Sequence, residues 1–177
     1  MHRIEAYFRL AIIFIIIISI LYLPILFKLK KKGISPIRQI SYIGLGASVF
    51  LIIFATILFT PITFEPEIHI LNLIPFNLQE IGIQQFLIEK IPNIILFIPL
   101  GFFLPAVFKS NRKAYKTILI TFALTFGVEF FQYFIGRSSD IDDIITNLLG
   151  GIIGFIVFKL LDRFLKKTTF WNKLIEK

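Results

Sequence analysis

The amino-acid sequence predicts an all-α membrane protein, a polytopic bundle of about five spanning helices with an outer interfacial or re-entrant helical segment. Of its 177 residues, 56% are hydrophobic and only 17% are charged. Soluble domains contain about 45–50% apolar and about 25% charged residues, so this chain has too few polar side chains to cover a surface in water. The apolar residues are also gathered into runs long enough to cross a bilayer. We expect residues 1–177 to form a single integral membrane domain.

Five apolar runs define the predicted spanning helices, because a span needs about 20 mostly apolar residues. The first run is unbroken from Ile12 to Ile18, and the second is closed by Pro61. The third is shorter and contains Pro99 and Pro105, which neighbouring helices can accommodate by satisfying the freed carbonyl groups. The predicted spans are residues 6–27, 40–60, 94–108, 117–135 and 144–161.

Charged residues of opposite sign occupy alternate connections between these spans. Fifteen of the 19 basic residues lie in the loops after the first and third spans and in the tail after the fifth. The positive-inside rule therefore predicts an extracellular N-terminus and a cytoplasmic C-terminus. The first apolar run is longer than the core of a signal peptide, about 7–15 residues, and lysines follow it, so we expect it to remain as a span. The other segments carry the acidic residues Glu65, Glu67, Glu80, Glu89, Asp140, Asp142 and Asp143.

The segment between the second and third spans, residues 61–92, is more than a simple loop. Over residues 78–91, apolar side chains are interspersed with glutamine, glutamate and lysine. This mixture predicts a helix lying in the outer membrane interface. A re-entrant helix or a helix that caps the bundle is equally compatible with the pattern.

Composition argues against several classes of partner and site. The net charge of +8 comes from short basic clusters between apolar runs, so no nucleic-acid partner is predicted. The chain has no cysteine, which excludes disulfides, thiolate metal sites and a cysteine nucleophile. His2 and His69 are isolated and lack the spacing of zinc ligands. The acidic cluster at residues 140–143 lacks the full calcium-loop pattern. We therefore predict neither a metal nor a cofactor.

Polar residues within the fourth and fifth spans are the first candidate site residues, because such groups are costly in a membrane and usually functional. Glu129 and Gln132 are three residues apart and share one face of the fourth span. Asp143 and Asn147 are four residues apart and share one face of the fifth span. On the predicted topology both pairs lie near the extracellular side.

Three further polar residues complete the predicted cluster: Asn93 at the outer mouth of the third span, and Arg137 and Asp142 in the connection between the fourth and fifth spans. Structural roles are open for all of them. Glu129 can equally form an ion pair with Arg137. The aspartates can cap the fifth helix, and Asn93 can be an N-cap. Gly150, Gly151 and Gly154 favour close helix packing over ligand contact.

Four short elements follow one another at residues 71–76, 93–101, 129–137 and 142–154. They carry Asn, Glu, Gln, Arg and Asp residues at spacings that apolar helices alone would not produce. In this order the elements resemble the signatures of the VanZ-like family of bacterial membrane proteins, and the likeness covers roughly residues 71–158. The first two spans carry no matching motif.

The resemblance implies a protein of the bacterial plasma membrane that acts near the cell envelope. The founding member of the family is linked to resistance to the glycopeptide antibiotic teicoplanin, so antibiotic resistance is an implied role. The implied partners, besides the lipid bilayer, are a lipid-linked cell-wall precursor, a lipid headgroup or a lipoglycopeptide.

The predicted function is an outward-facing polar pocket that binds or modifies such a component. In that hypothesis Arg137 contacts a phosphate or carboxylate. Glu129 and Asp143 are candidates for an acid, a base or a relay, while Asn93, Gln132, Asp142 and Asn147 bind the ligand. Binding and catalysis would use the same residues, so the sequence does not separate them.

Two other classes of function are open. A small transporter or scramblase would use Glu129 as a relay, although few polar residues mark a path through the cytoplasmic half of the spans. A structural partner of another membrane enzyme would use the glycine-rich fifth span as its contact surface.

Overall fold

A computed structural model describes residues 24, 25, 27–58, 71–75, 82–136 and 138–176. In these residues the chain forms a helical bundle, which confirms the predicted fold class, and four of the helices are long and apolar enough to cross a membrane. Only residues 24, 25 and 27 of the first predicted span are described, so that span stays a prediction. The helices are α1 (Pro36–Ile53, continued by a π-helical turn at Phe54–Leu58), α2 (Ile83–Val107), α3 (Ala114–Phe134), α4 (Ile141–Leu165) and the short α5 (Thr169–Ile175).

Local sequence explains where three of these helices begin. The hydroxyl of Ser35 accepts a hydrogen bond from the N–H of Arg38, and Pro36 occupies the first turn of α1, where its missing N–H costs nothing. The carboxylate of Asp140 accepts from the N–H of Asp142 at the start of α4. Thr168 caps α5 in the same way. These caps satisfy N–H groups that have no partner within the helix.

The start of α2 differs from the prediction. The helix begins at Ile83 rather than at residue 94, so residues 83–91, which the sequence analysis assigned to an interfacial helix, form the first turns of α2. Pro92 lies inside the helix and does not end it, because a proline removes only one N–H and its neighbours in a bundle can compensate. Because α2 is continuous through Pro92, Lys90 belongs to this helix and is buried in the bundle.

Small residues set the distance between α2 and α4. A Cβ atom added at Gly150 or Gly154 would overlap the backbone carbonyls of Ile94 or Ile98 on α2, and one added at Gly101 would overlap the carbonyl of Gly151. The two backbones therefore pack directly against each other, as small residues allow in membrane helices.

Consecutive long helices run in opposite directions and give the bundle two distinct ends. At one end the start of α2 meets the start of α4, through a contact between Lys90 and Asp143. At the other the start of α1 meets the end of α2, through Arg38 and Ala106. We call them the Lys90 end and the Arg38 end. Two short strands, β1 (Leu71–Asn72) and β2 (Ser139–Asp140), pair in parallel at the Lys90 end.

Candidate functional site

A buried lysine organises the Lys90 end of the bundle. The Nζ atom of Lys90 lies 2.7 Å from Oδ2 of Asp140 and 2.6 Å from Oδ1 of Asp143, and only 5% of the residue is exposed. The lysine comes from α2, whereas the aspartates come from β2 and the first turn of α4. One ammonium therefore joins α2 to β2 and to the first turn of α4.

Glu129 joins the same group of residues from α3. Its Oε2 atom accepts a hydrogen bond of 3.0 Å from the N–H of Asp140, and its carboxylate also accepts from the Ser139 side chain. The residue is only 3% exposed. We define the Lys90 cluster as Lys90, Glu129, Ser139, Asp140 and Asp143.

The pairing of β1 with β2 brings a further polar side chain to the cluster. Asn72 pairs with Asp140 in register, and its Nδ2 atom lies 3.5 Å from the Oδ1 atom of Asp140. The side-chain oxygen of Asn72 accepts from the N–H of Ile74, which forms a tight turn. The segment around Asn72, which the family resemblance had singled out, is thus attached to the cluster.

Asp142 and Asn147 lie deeper, on the face of α4 that points into the bundle. Asp142 is buried, and its carbonyl accepts from the hydroxyl of Thr146. The Nδ2 atom of Asn147 donates to Oγ1 of Thr125 on α3 at 2.8 Å, while its Oδ1 atom is buried and has no hydrogen-bond partner among the residues that the structure describes. Such an orphaned oxygen is costly in a low-dielectric interior.

A line of buried threonines extends from Thr125 toward the Arg38 end. Thr117, Thr121 and Thr125 follow one another at four-residue spacing on α3, and all three are fully buried. Thr121 donates to the carbonyl of Thr117, and Thr117 to the carbonyl of Asn111. The sequence analysis saw few polar groups in this half of the spans, because single threonines in apolar helices look unremarkable until their shared face is known.

The other predicted site residues are placed apart from the Lys90 cluster or are not described. Gln132 is buried, but its Nε2 atom donates to the carbonyl of Thr56 in the π-helical turn, 2.9 Å away. Asn93 lies half-buried within α2, and its side chain forms no hydrogen bond within the described residues. Arg137 lies outside the described residues. Of the seven predicted residues, Glu129 and Asp143 belong to the cluster itself.

Sequence reasoning missed Lys90 and Ser139. Lys90 was counted among the polar residues of an interfacial helix, which α2 replaces. A usable signal was present, because Lys90 and Arg137 are the only lysine or arginine residues between Pro61 and Asp143 outside the basic loop at residues 109–116. A lone lysine among acidic residues, on the side that the positive-inside rule leaves poor in lysine, favours an ion-paired role.

A cleft opens beside the cluster on the side of α3 that faces the membrane. Its volume is about 340 Å³, and its polar lining residues include Glu129 and Ser139. Phe126, Phe130 and Phe134 form one wall as successive members of an exposed aromatic row along α3. The remaining lining residues are Leu73, Tyr133, Ile141 and Ile144.

The cleft lining combines apolar side chains with two residues of the Lys90 cluster, Glu129 and Ser139. In the described part of the chain, no group of three or more histidine, cysteine, aspartate or glutamate side chains could hold a metal ion. The cleft instead offers an apolar surface next to fixed hydrogen-bond acceptors, which is the usual composition of a small-molecule site.

The Arg38 end also buries a cation, but with different partners. Arg38 donates through NH1 to the carbonyls of Ala106 (2.6 Å) and Leu174 (2.9 Å) and through NH2 to that of Val107 (2.6 Å). It is 4% exposed, and its guanidinium stacks 4.9 Å from the ring of Tyr42. Arg38 thus caps the C-terminal ends of α2 and α5 together.

Arg112 and Trp171 complete this end. Arg112 donates to the carbonyls of Pro105 and Ile175, and burial lowers the pKa of its guanidinium. Trp171 is buried against Phe102 and Phe158, and its Nε1 atom donates to Asp162 at 2.8 Å. α5 is therefore docked onto the bundle by both packing and hydrogen bonds.

Comparison with known proteins identifies relatives of this chain. A family model described as VanZ/LLP1 matches residues 14–162. The chain is 30% identical over 105 residues to "Protein VanZ" of Enterococcus faecium. That alignment covers 56% of this chain and 65% of the relative, so the chain spans slightly less than two-thirds of the relative's length. No solved structure matches the chain.

Proposed function

The chain belongs to the VanZ/LLP1 family, and from this premise we propose that it binds an amphiphilic component of the bacterial cell envelope at the cleft beside the Lys90 cluster. The observation that carries the proposal is that the polar Lys90 cluster and the apolar cleft are adjacent and share residues. Glu129 and Ser139 belong to the polar cluster and also line the apolar cleft. A molecule with a hydrocarbon chain and a polar head would use both at once.

The size and lining of the cleft support a hydrocarbon occupant. Its volume of about 340 Å³ falls within the range of roughly 300–1,000 Å³ for ligand pockets. Three phenylalanines of its wall are also half exposed on the outside of the bundle, so a chain could enter sideways from the bilayer. Candidate ligands are a lipid-linked wall precursor, its peptide with an attached chain, or a membrane lipid with its headgroup at the cluster.

Charge distribution supports an outward-facing cleft. The Arg38 end carries the basic loop at residues 109–116 and the basic tail after α4, whereas the Lys90 end carries Asp140, Asp142 and Asp143. The positive-inside rule then assigns the Arg38 end to the cytoplasm and the cleft to the extracellular leaflet. This is the side on which wall precursors and glycopeptide antibiotics meet.

We further propose that occupation of the cleft contributes to teicoplanin resistance in the cell. The proposal draws on the resemblance noted in the sequence and on the similarity to Protein VanZ. A protein that holds a lipid-linked precursor or the antibiotic itself at the outer leaflet would change how the two encounter each other.

Blocking the cleft tests the proposed function. Ile141→Trp would fill the space between α3 and α4, and Leu119→Trp would place the same side chain on an exposed part of α3 outside the cleft. We expect Ile141→Trp to abolish binding of lipid-linked precursor and of teicoplanin to the purified protein, and to restore teicoplanin susceptibility in cells. Leu119→Trp should behave like the unaltered protein.

Equal binding and equal susceptibility for both variants, with both folded as judged by thermal unfolding, would contradict the proposal. A topology test accompanies it. A cysteine introduced at Ser138, next to the cluster, should react with a membrane-impermeant maleimide added outside the cell, and labelling only after permeabilisation would reverse the orientation.

A second candidate function, a relay across the membrane, is favoured by one observation. Thr117, Thr121, Thr125 and Asn147 form a buried polar line that continues inward from the region of Glu129. If this line conducts protons, proteoliposomes should acidify in response to a potential, and Thr121→Val should reduce that flux. Flux indistinguishable from protein-free liposomes would remove this candidate.

A further inference from the structure

We propose that α3 and α4 bind an anionic phospholipid at the Arg38 end, with its phosphate at Lys159 and Arg163 and an acyl chain along the membrane-facing side of the two helices. We call Tyr115, Lys159 and Arg163 the Lys159 site. It lies at the opposite end of α4 from the cleft and does not depend on what the cleft binds. Three features support it: the register of the two helices, an apolar strip on their surface, and an excess of exposed cations.

Two contacts fix the register of α3 against α4. Asn147 donates to Thr125, and a Cβ atom added at Gly151 would meet the side chain of Thr121. The helices are antiparallel, so each residue passed on α3 toward the Arg38 end matches one residue passed on α4. Eight residues beyond the second contact, this register brings Lys159 level with the start of α3.

On α4, Lys159 shares a helical face with the lining of the cleft. Ile141 and Ile144 line the cleft. Leu148 and Ile152 follow on the same face at four-residue spacing, and both are half-buried. Lys159 lies seven residues further, at the end of this apolar strip, and its ammonium is 5.5 Å from the ring centroid of Phe155 instead of beside a carboxylate.

On α3, the aromatic row of the cleft wall continues toward the same end. Phe122 stacks on Phe126 with 6.1 Å between ring centroids. Tyr115 lies two turns further along and is 60% exposed, so its hydroxyl can donate to a ligand near Lys159. From Lys159 to Leu148 the strip is about 16 Å long at 1.5 Å per residue. This is about half of the roughly 30 Å hydrocarbon core, the depth of one leaflet.

Cations outnumber carboxylates where the strip ends. Residues 159–167 contain four exposed cations, none of which forms a salt bridge within the part of the chain that the structure describes. Asp162 is the one carboxylate in this stretch, and its Oδ1 atom accepts from Trp171. The four cations are Lys159, Arg163, Lys166 and Lys167.

A phospholipid uses the cations and the strip together. Lys159 and Arg163 are four residues apart and therefore neighbours on the surface of α4. An ammonium and a guanidinium at this spacing suit one phosphate, which the guanidinium can bind through two hydrogen bonds. Basic sites between helices at a membrane surface bind anionic headgroups in this way. A soluble anion would leave the apolar strip unused.

The test compares two photoreactive phospholipids with identical acyl chains that carry a diazirine. One has a phosphoglycerol head and the other a phosphocholine head. The full-length protein in phosphatidylcholine nanodiscs is labelled with a trace of each, and mass spectrometry locates the labelled residues. Labelling of residues 148–160 is divided by labelling of Ile43 and Leu51, which are exposed on α1. This ratio corrects for the amount of each probe in the membrane.

We expect the ratio to be at least about fivefold higher for the phosphoglycerol probe, equal to about 1 kcal/mol, the contribution of one cation at a membrane surface. Lys159→Gln combined with Arg163→Gln should remove this preference. Lys30→Gln combined with Lys31→Gln removes the same charge before α1, at the same end, and should keep it. All four side chains are exposed, so both variants should unfold at the temperature of the unaltered protein.

Three results would overturn the proposal. The first is an equal ratio for the two headgroups in the unaltered protein. The second is an equal loss of preference in the two double variants, which would indicate a diffuse response to surface charge. The third is loss of the preference when excess inorganic phosphate is added at constant ionic strength, which would assign the cations to a soluble anion. Retention of the preference in phosphate supports a lipid as the ligand.

Discussion

The two ends of the bundle each bury one cation, and they use it differently. Arg38 donates to main-chain carbonyls at the ends of α2 and α5, and its acidic neighbour, Glu176, is mostly exposed at 3.4 Å. Lys90 is paired with side-chain carboxylates and sits next to a cleft. Carbonyl partners belong to the backbone and cannot be exchanged, whereas carboxylates can bind something else. Both cations therefore hold helices together, and the Lys90 end also has a cleft beside its cation, where we propose that a ligand binds.

Removing Lys90 should give the largest loss of stability. Lys90→Met keeps most of the length of the side chain but leaves the carboxylates of Asp140 and Asp143 without their cation, which costs about 3–5 kcal/mol for a buried pair. Thermal unfolding in detergent measures the loss. Lys109→Met, an exposed lysine at the other end, is the matched control and should change little. Equal stability of the two variants would mean that Lys90 does not hold its end together.

Removing Arg38 should cost somewhat less and act on a different part of the chain. Arg38→Ala leaves the carbonyls of Ala106 and Val107 without their side-chain donor, and an unsatisfied buried group costs about 1–3 kcal/mol. The carbonyl of Leu174 on α5 loses one of two donors, because the hydroxyl of Ser41 still binds it, and we expect limited proteolysis to cut the C-terminal tail faster. Arg163→Ala, at an exposed position, should leave the cleavage rate unchanged. An Arg38→Ala tail as resistant as the unaltered one would show that packing of Trp171 is sufficient.

The hydrogen bond of Trp171 should have a smaller effect. Trp171→Phe keeps an aromatic ring near Phe102 and Phe158 but loses the bond to Asp162, which is worth about 1 kcal/mol. We expect a modest acceleration of tail cleavage, below that of Arg38→Ala. A greater acceleration than in Arg38→Ala would assign the docking of α5 to its tryptophan rather than to its capped carbonyls.

Glu129→Gln should have the smallest effect on stability and a large effect on binding. The amide retains an acceptor for the N–H of Asp140, so the unfolding temperature should shift by less than in Lys90→Met, Arg38→Ala or Trp171→Phe. Binding of the lipid-linked precursor to the purified protein should fall, because Glu129 lines the proposed cleft. Destabilisation as large as that of Lys90→Met would make Glu129 a structural residue.

Much of the fold was accessible from the sequence because a membrane imposes simple rules. Runs of apolar residues gave the positions of α1, α3 and α4 to within a few residues of their ends. The start of α2 was missed because Pro92 looked like a boundary, and because residues 83–91 are polar enough to resemble an interfacial segment. A helix can continue through a proline when its neighbours stabilise it, and those neighbours are not visible in a local pattern.

The candidate site was partly predicted because charged groups are costly within a membrane and therefore stand out in apolar helices. Costly carboxylates in apolar helices pointed to Glu129 and Asp143, which do lie in one cluster. Gln132 shares a helical face with Glu129, yet it bonds to Thr56 on α1, because a helix face is wide enough to meet two different neighbours. Whether the predicted residues bind a ligand stays a prediction.

The sequence by itself determined that the chain is an all-helical membrane protein, which ends of its helices are basic or acidic, and that it resembles one family. These properties depend on composition and order along the chain. The length of an apolar run decides whether it can cross the bilayer, and the placement of lysine and arginine favours one orientation. Only the tertiary structure decided that Lys90 joins Asp140 to Asp143, that Arg38 caps two helices, and that a cleft opens beside Glu129. Each of these depends on which helices pack together. That packing is determined by contacts between residues about 50–70 positions apart in the sequence, such as Lys90 with Asp140. A local sequence pattern does not contain this information.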